Sequence, residues 1–436
     1  MKKFFIMLLS FLLLATCLSC SKNISTSSDS ALTIVSSAPS KVSNSSESIL
    51  SQVNSDETEP TDATIKLSEF VKIFTDGGSS YGLTDDGILY AWGYNSRGCL
   101  GLPTEDEIVN EPTKINIPEK VVDLAPGALC VALCESGNVY TWGLTELPKS
   151  SSTFNYDSTP MQKDLPEAIS EIFQAHGMVG LAKGISGELY IWGWNEQGQL
   201  FGTTDETWSS VPITAQLPAE AIMVCGYDTH LIALCTDGKI YTWGSNYYGE
   251  LGDGLTVKGL DENGELIENN RSYAAAVALE GTVISVAAGR GASYALLDDG
   301  TVYAWGANDV GQLGVDETVT SSSVPVKIDL PEKITRIISN AFTAYAISES
   351  GNLYGWGKNN NGNSDSDYTS LGIGTNPAIV YTPVEIPVSG DVISVQAGFA
   401  TFALTSDEHL WVWGSNLYNS ISSNVEDFPE APIMLY

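Results

Sequence analysis

The feature that most constrains this chain is a recurring dipeptide. Trp-Gly appears at Trp92, Trp142, Trp192, Trp243, Trp305, Trp356 and Trp413, at intervals of 50, 50, 51, 62, 51 and 57 residues. A unit of this length cannot bury its own apolar face, so copies at this period must stack or close into a ring. Tyr stands two residues before six of the tryptophans (Tyr90, Tyr140, Tyr190, Tyr241, Tyr303, Tyr354), and Trp411 takes that place in the seventh copy. Residues two apart on a strand share a face, so each pair is placed to pack on a neighbouring sheet. Upstream lie the hairpin dipeptides Asp86-Gly87, Ser136-Gly137, Ser186-Gly187, Asp237-Gly238, Asp299-Gly300 and Ser350-Gly351. Asp407-Glu408 lacks the glycine, which predicts a looser seventh hairpin. Before each turn runs a column of small residues, Gly82, Ala132, Gly180, Ala233, Ala295, Ala346 and Ala403, each followed by Leu or Ile. Crowding about a common axis would select such residues on an innermost strand. Pro112, Pro212, Pro325 and Pro383 each open a further strand after a polar loop. The fold expected is all-β: a seven-bladed β-propeller of four-stranded antiparallel blades.

The segment Leu83-Thr84-Asp85-Asp86-Gly87 through Tyr90-Ala91-Trp92-Gly93 to Asn95-Ser96-Arg97-Gly98-Cys99-Leu100-Gly101 resembles the repeat of the regulator of chromosome condensation family. Asn246 to Gly252 and Asn308 to Gly314 repeat the Asn-x-x-Gly-x-Leu-Gly part. The resemblance covers about residues 65–436. Kelch repeats share the period but would carry Gly-Gly doublets in most blades, and here Gly77-Gly78 stands alone at that place. The second and seventh copies depart from the motif, with Leu144-Thr145-Glu146 and Asn416-Leu417-Tyr418-Asn419 in its place. Of the histidine that often precedes the aliphatic column by four residues, His230 is the one instance. Both 65–67 and 432–435 resemble a strand that opens a unit. Docking of the C-terminal segment beside the first Trp-Gly blade would latch the ring through both termini and remove an exposed edge.

The N-terminus is of another kind. Lys2 and Lys3 precede an apolar run of about a dozen residues, too short for a membrane span and suited to an export signal. It is similar to a bacterial lipoprotein signal, with Cys20 after Ser19, or alternatively Cys17 after Thr16, as the lipidated residue; a plain secretory signal is the other reading. Diacylation would supply the two chains that stable anchoring needs. Residues 21–62 are rich in Ser, Thr, Asn, Asp and Glu and hold no aromatic side chain, so they bury too little apolar surface to offset ordering and read as a disordered tether. The expected organisation is signal 1–20, tether 21–62 and propeller 63–436, on an exported protein anchored at the outer side of a bacterial membrane or secreted.

Charge narrows function. Twenty Lys and Arg face 53 Asp and Glu, a net charge of −33. Nucleic-acid binding depends on cations that displace counterions, so no nucleic acid is expected as a partner. The three histidines, His176, His230 and His409, fall at non-equivalent places in three blades, which gives no triad or metal spacing. No catalytic residue, metal site or cofactor is expected. Carboxylates are too numerous for any pair to stand out as a hydrolase couple. Two insertions, at 260–267 with an Asn263-Gly264 turn and at 359–368, interrupt the period; the first reads as a protruding hairpin, and either could offer oxygen ligands to calcium, with a solvated loop as the bland reading. Cys99, Cys130, Cys134, Cys225 and Cys235 read as small apolar residues, with a Cys225–Cys235 bridge as an unsupported alternative.

Aromatic residues on inter-strand loops are the stronger lead: Tyr94, Trp194, Trp208, Tyr247, Tyr248 and Tyr368. Such side chains anchor protein interfaces or stack on sugars, or they cap the blade beneath, and Trp208 is balanced between the two. The family resemblance implies nucleotide exchange on a small GTPase and chromatin binding, which an exported acidic protein would not meet. It extends to a secreted propeller that inhibits β-lactamase, so enzyme inhibition is one form the function could take. The sequence therefore points first to a non-enzymatic module binding an extracellular or cell-surface protein. A cell-wall glycan is the second candidate partner, and a carboxylate-dependent hydrolase or an exchange factor comes last.

Overall fold

The computed structural model describes residues 65–146, 155–202, 207–227, 229–256, 259–260, 266–267, 269–359, 370–374, 377–425 and 429–436. The signal with Cys17 and Cys20, the tether and Tyr368 lie outside the described residues. Seven four-stranded sheets follow one another along the chain, at 70–114, 121–163, 169–214, 221–276, 283–327, 334–385 and 392–434, each antiparallel with its strands in chain order. This is the expected seven-bladed propeller. In blade one the strands are Phe70–Asp76, Ser79–Thr84, Leu89–Tyr94 and Ile108–Lys114. First strands of successive blades pack on one another and so ring the axis; fourth strands form the rim. The turns between first and second strands and the loops between third and fourth strands emerge together on one face, called here the loop face. The other face carries the second-to-third hairpins and the connections between blades.

The Trp-Gly dipeptide has a stereochemical cause. Its glycine takes φ between 85° and 108° in all seven blades, a region costly for any residue with a Cβ. A Cβ at Gly306 would sit 2.1 Å from the Gly291 carbonyl oxygen, and the next amide, of Ala307, donates to that oxygen at 2.8 Å. The same bond recurs from Tyr94 to Gly78 and from Lys358 to Phe342. Each glycine thus bends the third strand so that the loop after it is tied back to the first turn of its own blade.

The tryptophans, all buried to 1 % or less exposure, join blades. Trp142, Trp243, Trp305 and Trp356 donate their indole N–H to the carbonyls of Cys99, Gln199, Glu250 and Gln312 at 2.7–2.8 Å. Each acceptor is the residue before the Leu of Asn-x-x-Gly-x-Leu-Gly in the preceding blade. The Asn holds that segment: its Oδ1 accepts the Leu amide in blades one, three, four and five, and Asn359 does so for Leu371 across the second insertion.

Several expectations need correction. The seventh copy keeps the motif's geometry despite its sequence: Asn416 Oδ1 accepts the Ile421 amide at 2.8 Å, and Asn419 takes the glycine's place at φ 56°. Its hairpin is not looser either, since Glu408 adopts φ 73° and donates its amide to Thr405 O at 3.0 Å, as Gly87 does to Thr84 O. The C-terminal segment supplies no strand to blade one, and its contact there is Tyr436 Oη, which donates to Leu67 O at 3.4 Å. Ile433–Met434 is the fourth strand of blade seven, pairing with Trp411 and Val412, and Leu67–Glu69 is a 3-10 turn rather than a strand. Blade seven meets blade one through Ser420 O, which accepts both Ser80 Oγ, at 2.6 Å, and Trp92 Nε1, at 2.9 Å, and through the Phe399 amide, which donates to Gly77 O at 2.8 Å. The small column lies on second strands, and its blade-three member is Ala182, opposite Tyr190 as Gly82 is opposite Tyr90. Gly180 is small because the Trp192 ring lies where its Cβ would stand, at 2.2 Å. Cys225 faces Ile232 while Cys235 faces Ala221, so the two are out of bridging register, and all five described cysteines are free thiols. The first insertion is a hairpin, with Gly259–Leu260 paired to Leu266–Ile267; its turn, like 360–369, lies outside the described residues.

Candidate functional site

On the loop face the blade-four loop is the most thoroughly built. Asn246, fully buried, donates from Nδ2 to Asp253 Oδ1 at 3.1 Å, and its amide donates to Asn270 Oδ1 at 3.0 Å. Arg271 clamps the same loop, with Nη1 on Asp253 Oδ2 at 2.7 Å and Nη2 on Thr242 O and Oγ1 at 3.0 and 2.9 Å. Glu250 lies beneath: Ser245 Oγ and the Tyr248 amide both donate to its carboxylate at 2.7 Å, while burial pushes its pKa up. Apart from Arg271 Nε, which is buried without a partner among the described residues, the donors and acceptors named here are matched, and such a network is rigid. It displays Tyr247 and Tyr248, 36 % and 41 % exposed, with rings edge to face at 4.6 Å.

Tyr248 reaches into blade five. A Cβ on Gly291 would stand 3.1 Å from its ring, and Asp309 and Arg290 act on its hydroxyl with opposite sign, though burial is the larger influence and raises its pKa. Arg290, exposed on the first turn of blade five, lies 5.1 Å from the centroid of Phe342 on the first turn of blade six. Lys358 Nζ lies 5.2 Å from the same centroid. Blades four to six thus bring two tyrosines, a half-buried phenylalanine and two cations to one part of the loop face.

The other aromatic candidates do not join this group. Tyr94 stacks on Tyr418 with centroids 4.4 Å apart, sealing blade one to blade seven. Trp194 and Trp208 sit opposite each other on adjacent strands; Trp208 is 7 % exposed, and both pack with Leu144, Tyr156 and Met178 at the junction of blades two and three. Of the two uses open to Trp208, it takes the packing one.

The mouth of the axis holds a pair that no sequence spacing joins. His176 Nδ1 and Asp76 Oδ1, 100 residues apart, meet at 3.0 Å, with Gln174 Nε2 3.1 Å from the same nitrogen. First turns of different blades converge there, which spacing along the chain does not reveal. His230 is fully buried with Nε2 3.0 Å from Ser293 Oγ, and burial lowers its pKa to about 4. His409 pairs with its neighbour Asp407 at 3.0 Å. Among the described residues no three His, Cys, Asp or Glu side chains gather as a metal would need.

The opposite face carries carboxylates in structural roles. Glu332 accepts from Asn352 Nδ2 at 2.7 Å, Tyr354 Oη at 2.6 Å and Ser350 Oγ, and the serine bond above all holds its pKa down to about 2. Glu119 serves the Ser136-Gly137 hairpin and Glu167 the Ser186-Gly187 hairpin in the same way. Blade four, with Asp237-Gly238, uses the turn's own carboxylate, which accepts from Tyr241 Oη at 2.7 Å. Clefts beside these hairpins recur in blades one, two and three, lined by equivalent residues, so they belong to the repeat and not to a site.

Fold and junction geometry define a propeller whose blades are joined by Trp-Gly and Asn-x-x-Gly-x-Leu-Gly. Models of the regulator of chromosome condensation (RCC1) repeat match residues 86–133, 237–296 and 299–342, and a second model of that repeat matches 223–250 and 283–312. The mitochondrial RCC1 domain-containing protein RUG3 of Arabidopsis thaliana is 30 % identical over 321 residues, covering 70 % of this chain and 67 % of its own. The ultraviolet-B receptor UVR8 of Arabidopsis thaliana is 30 % identical over 296 residues, 66 % of this chain; the chain spans 62 % of UVR8. The crystal structure of yeast RCC1 bound to Kap60 superposes with a TM-score of 0.63 at 22 % identity, covering 76 % of this chain and 78 % of that one, which shows the shared fold. This chain belongs to the RCC1 repeat family.

Proposed function

We propose that the chain is a non-enzymatic protein-binding module that presents the loop face of blades four to six to a partner outside the cell. The observation that carries this is the Tyr247–Tyr248 pair, exposed on a loop that a buried network holds rigid. Aromatic anchors fixed before contact lose little entropy on binding. The edge-to-face arrangement favours a protein over a glycan, because it turns one ring's face toward its neighbour instead of offering it as a flat sugar platform. Yeast RCC1, a propeller of the same fold, is described bound to a protein, Kap60.

The extracellular setting rests on the signal-like 1–20 and the tether 21–62, with Cys20, or Cys17, as lipid anchor and 63–436 as the working propeller. Labelling by a palmitate analogue that Cys20→Ala and Cys17→Ala both leave intact would remove the anchor from this proposal. For the binding site, Tyr247→Ala with Tyr248→Ala should weaken capture of a saturable partner at least tenfold while the melting temperature stays within a few degrees. Unchanged capture would move the site elsewhere, and retention on cell-wall polysaccharide with no protein captured would replace the reading by the glycan one.

A further inference from the structure

We infer that Arg290 is the receptor for a carboxylate, so that the partner meets blades four to six with an acidic segment. This rests on the protein-binding reading above. The chain's net charge of −33 by itself suggests a basic partner. That field is screened within about 8 Å at physiological ionic strength, so groups at the contact decide its chemistry.

The local groups have the opposite sign. Arg271, Lys72 and Lys183 are engaged with Asp253, Asp123 and Glu171 at 2.7, 3.1 and 2.8 Å. Arg290 is exposed, and among the described residues no carboxylate pairs with its guanidinium. Yet it is not a loose surface side chain. Its amide donates to Ala341 O at 2.7 Å, which ties its turn to blade six. A Cβ on the preceding Gly289 would strike Ser339 Oγ at 2.5 Å, so the turn is closely packed. Phe342 stands 5.1 Å from its guanidinium carbon, and Lys358 shares that ring. A guanidinium held against a ring keeps its planar fork of donors, the geometry that matches a carboxylate with two parallel bonds.

Two acids bear on the patch. Asp309 lies near Tyr248, and its Oδ1 accepts from Gln312 Nε2 at 2.9 Å. Glu250 is buried, with both oxygens taken by Ser245 and the Tyr248 amide. Neither engages Arg290. Arg290 lies near enough to Tyr248 to act on its hydroxyl, and Tyr247 packs edge to face on Tyr248, so the pair supplies apolar area and two hydroxyls beside the fork.

The test is selection of a random peptide library displayed on phage against the full chain, followed by affinity measurement on the enriched peptides. The expected peptides are rich in Asp and Glu beside an apolar or aromatic residue. They should bind at least tenfold more weakly to Arg290→Glu and a few-fold more weakly to Arg290→Lys, which keeps the charge and loses the fork. Because the head group is exposed, both variants should melt as the unsubstituted chain does. Neutral or basic peptides that still depend on Tyr247 and Tyr248 would overturn the acidic partner and leave the binding site standing. Acidic peptides indifferent to Arg290→Glu would overturn the role of Arg290. Peptides indifferent to Arg290, Tyr247 and Tyr248 alike would overturn this inference and the reading beneath it.

Discussion

At the scale of single residues, burial decides what the titratable groups do. His230 takes a place that Ser79, Leu129 and Ala292 fill in blades one, two and five, each opposite the Trp-Gly glycine. It is fully buried, and its pKa falls to about 4 from an ordinary value near 6.5. Between those values the unfolded chain binds a proton that the folded chain excludes. Its contribution is therefore fully present above about pH 6.5 and is lost as pH falls through that window, about 3 kcal/mol in all. Chemical denaturation at pH 7 and pH 4.5 should show a loss that His230→Leu largely removes; an equal loss in that variant would place the acid sensitivity elsewhere. Glu332 behaves as depressed carboxylates do, its contribution present above about pH 4.3 and declining toward its folded value of about 2. The two windows adjoin near pH 4, so His230→Leu is needed to separate the histidine's loss from the carboxylate's.

At the scale of elements, five of the seven blades are fastened to the one before by an indole N–H on a loop carbonyl. Blade seven uses a side chain instead, with Trp413 Nε1 donating to Tyr345 Oη at 3.4 Å, and blade three is the exception, because Leu144-Thr145-Glu146 of blade two stands where Asn-x-x-Gly would begin. The Trp192 ring lies over Gly180 in its own blade, and among the described residues its buried Nε1 has no acceptor. Lys163 Nζ sits 5.6 Å from the ring centroid, and Trp194 and Trp208 fill the junction. A buried donor left unmatched costs about 1–3 kcal/mol, whereas a matched one contributes about 1 kcal/mol. Trp192→Phe should therefore cost less than Trp305→Phe, by about 1 kcal/mol in urea unfolding, since the latter removes a matched bond to the Glu250 carbonyl, which keeps Ser293 Oγ as its other donor. Equal losses would mean that ring volume alone sets the junction's strength. The repeat itself was legible in the sequence because period-50 spacing and period-2 alternation are local. Register was less so: Gly180 was small and two residues out of phase, and only pairing with Trp192 separates it from Ala182. The seventh blade misled for a related reason, since Asn419 and Glu408 adopt backbone angles that the motif writes as glycine.

At the scale of the whole molecule, closure arranges what sequence distance conceals. Asp76 meets His176, Ser420 meets Ser80 and Trp92, and Tyr418 meets Tyr94, because first turns converge at the axis and blade seven returns to blade one. The binding patch arises in the same way, from a loop of blade four and turns of blades five and six. Sequence pointed to Tyr247 and Tyr248 through their place on an inter-strand loop, but Arg290 and Phe342 carry no motif, and Tyr94, Trp194 and Trp208 read alike while serving the junctions. The most direct test of the binding face is site-specific photo-crosslinking in intact cells. Benzoylphenylalanine placed at Tyr247 on the loop face is compared with the same probe at Ile185, 72 % exposed on a hairpin of the opposite face. One discrete protein adduct is expected from Tyr247 and none from Ile185. An adduct from Ile185 alone, or none from either position, would contradict it.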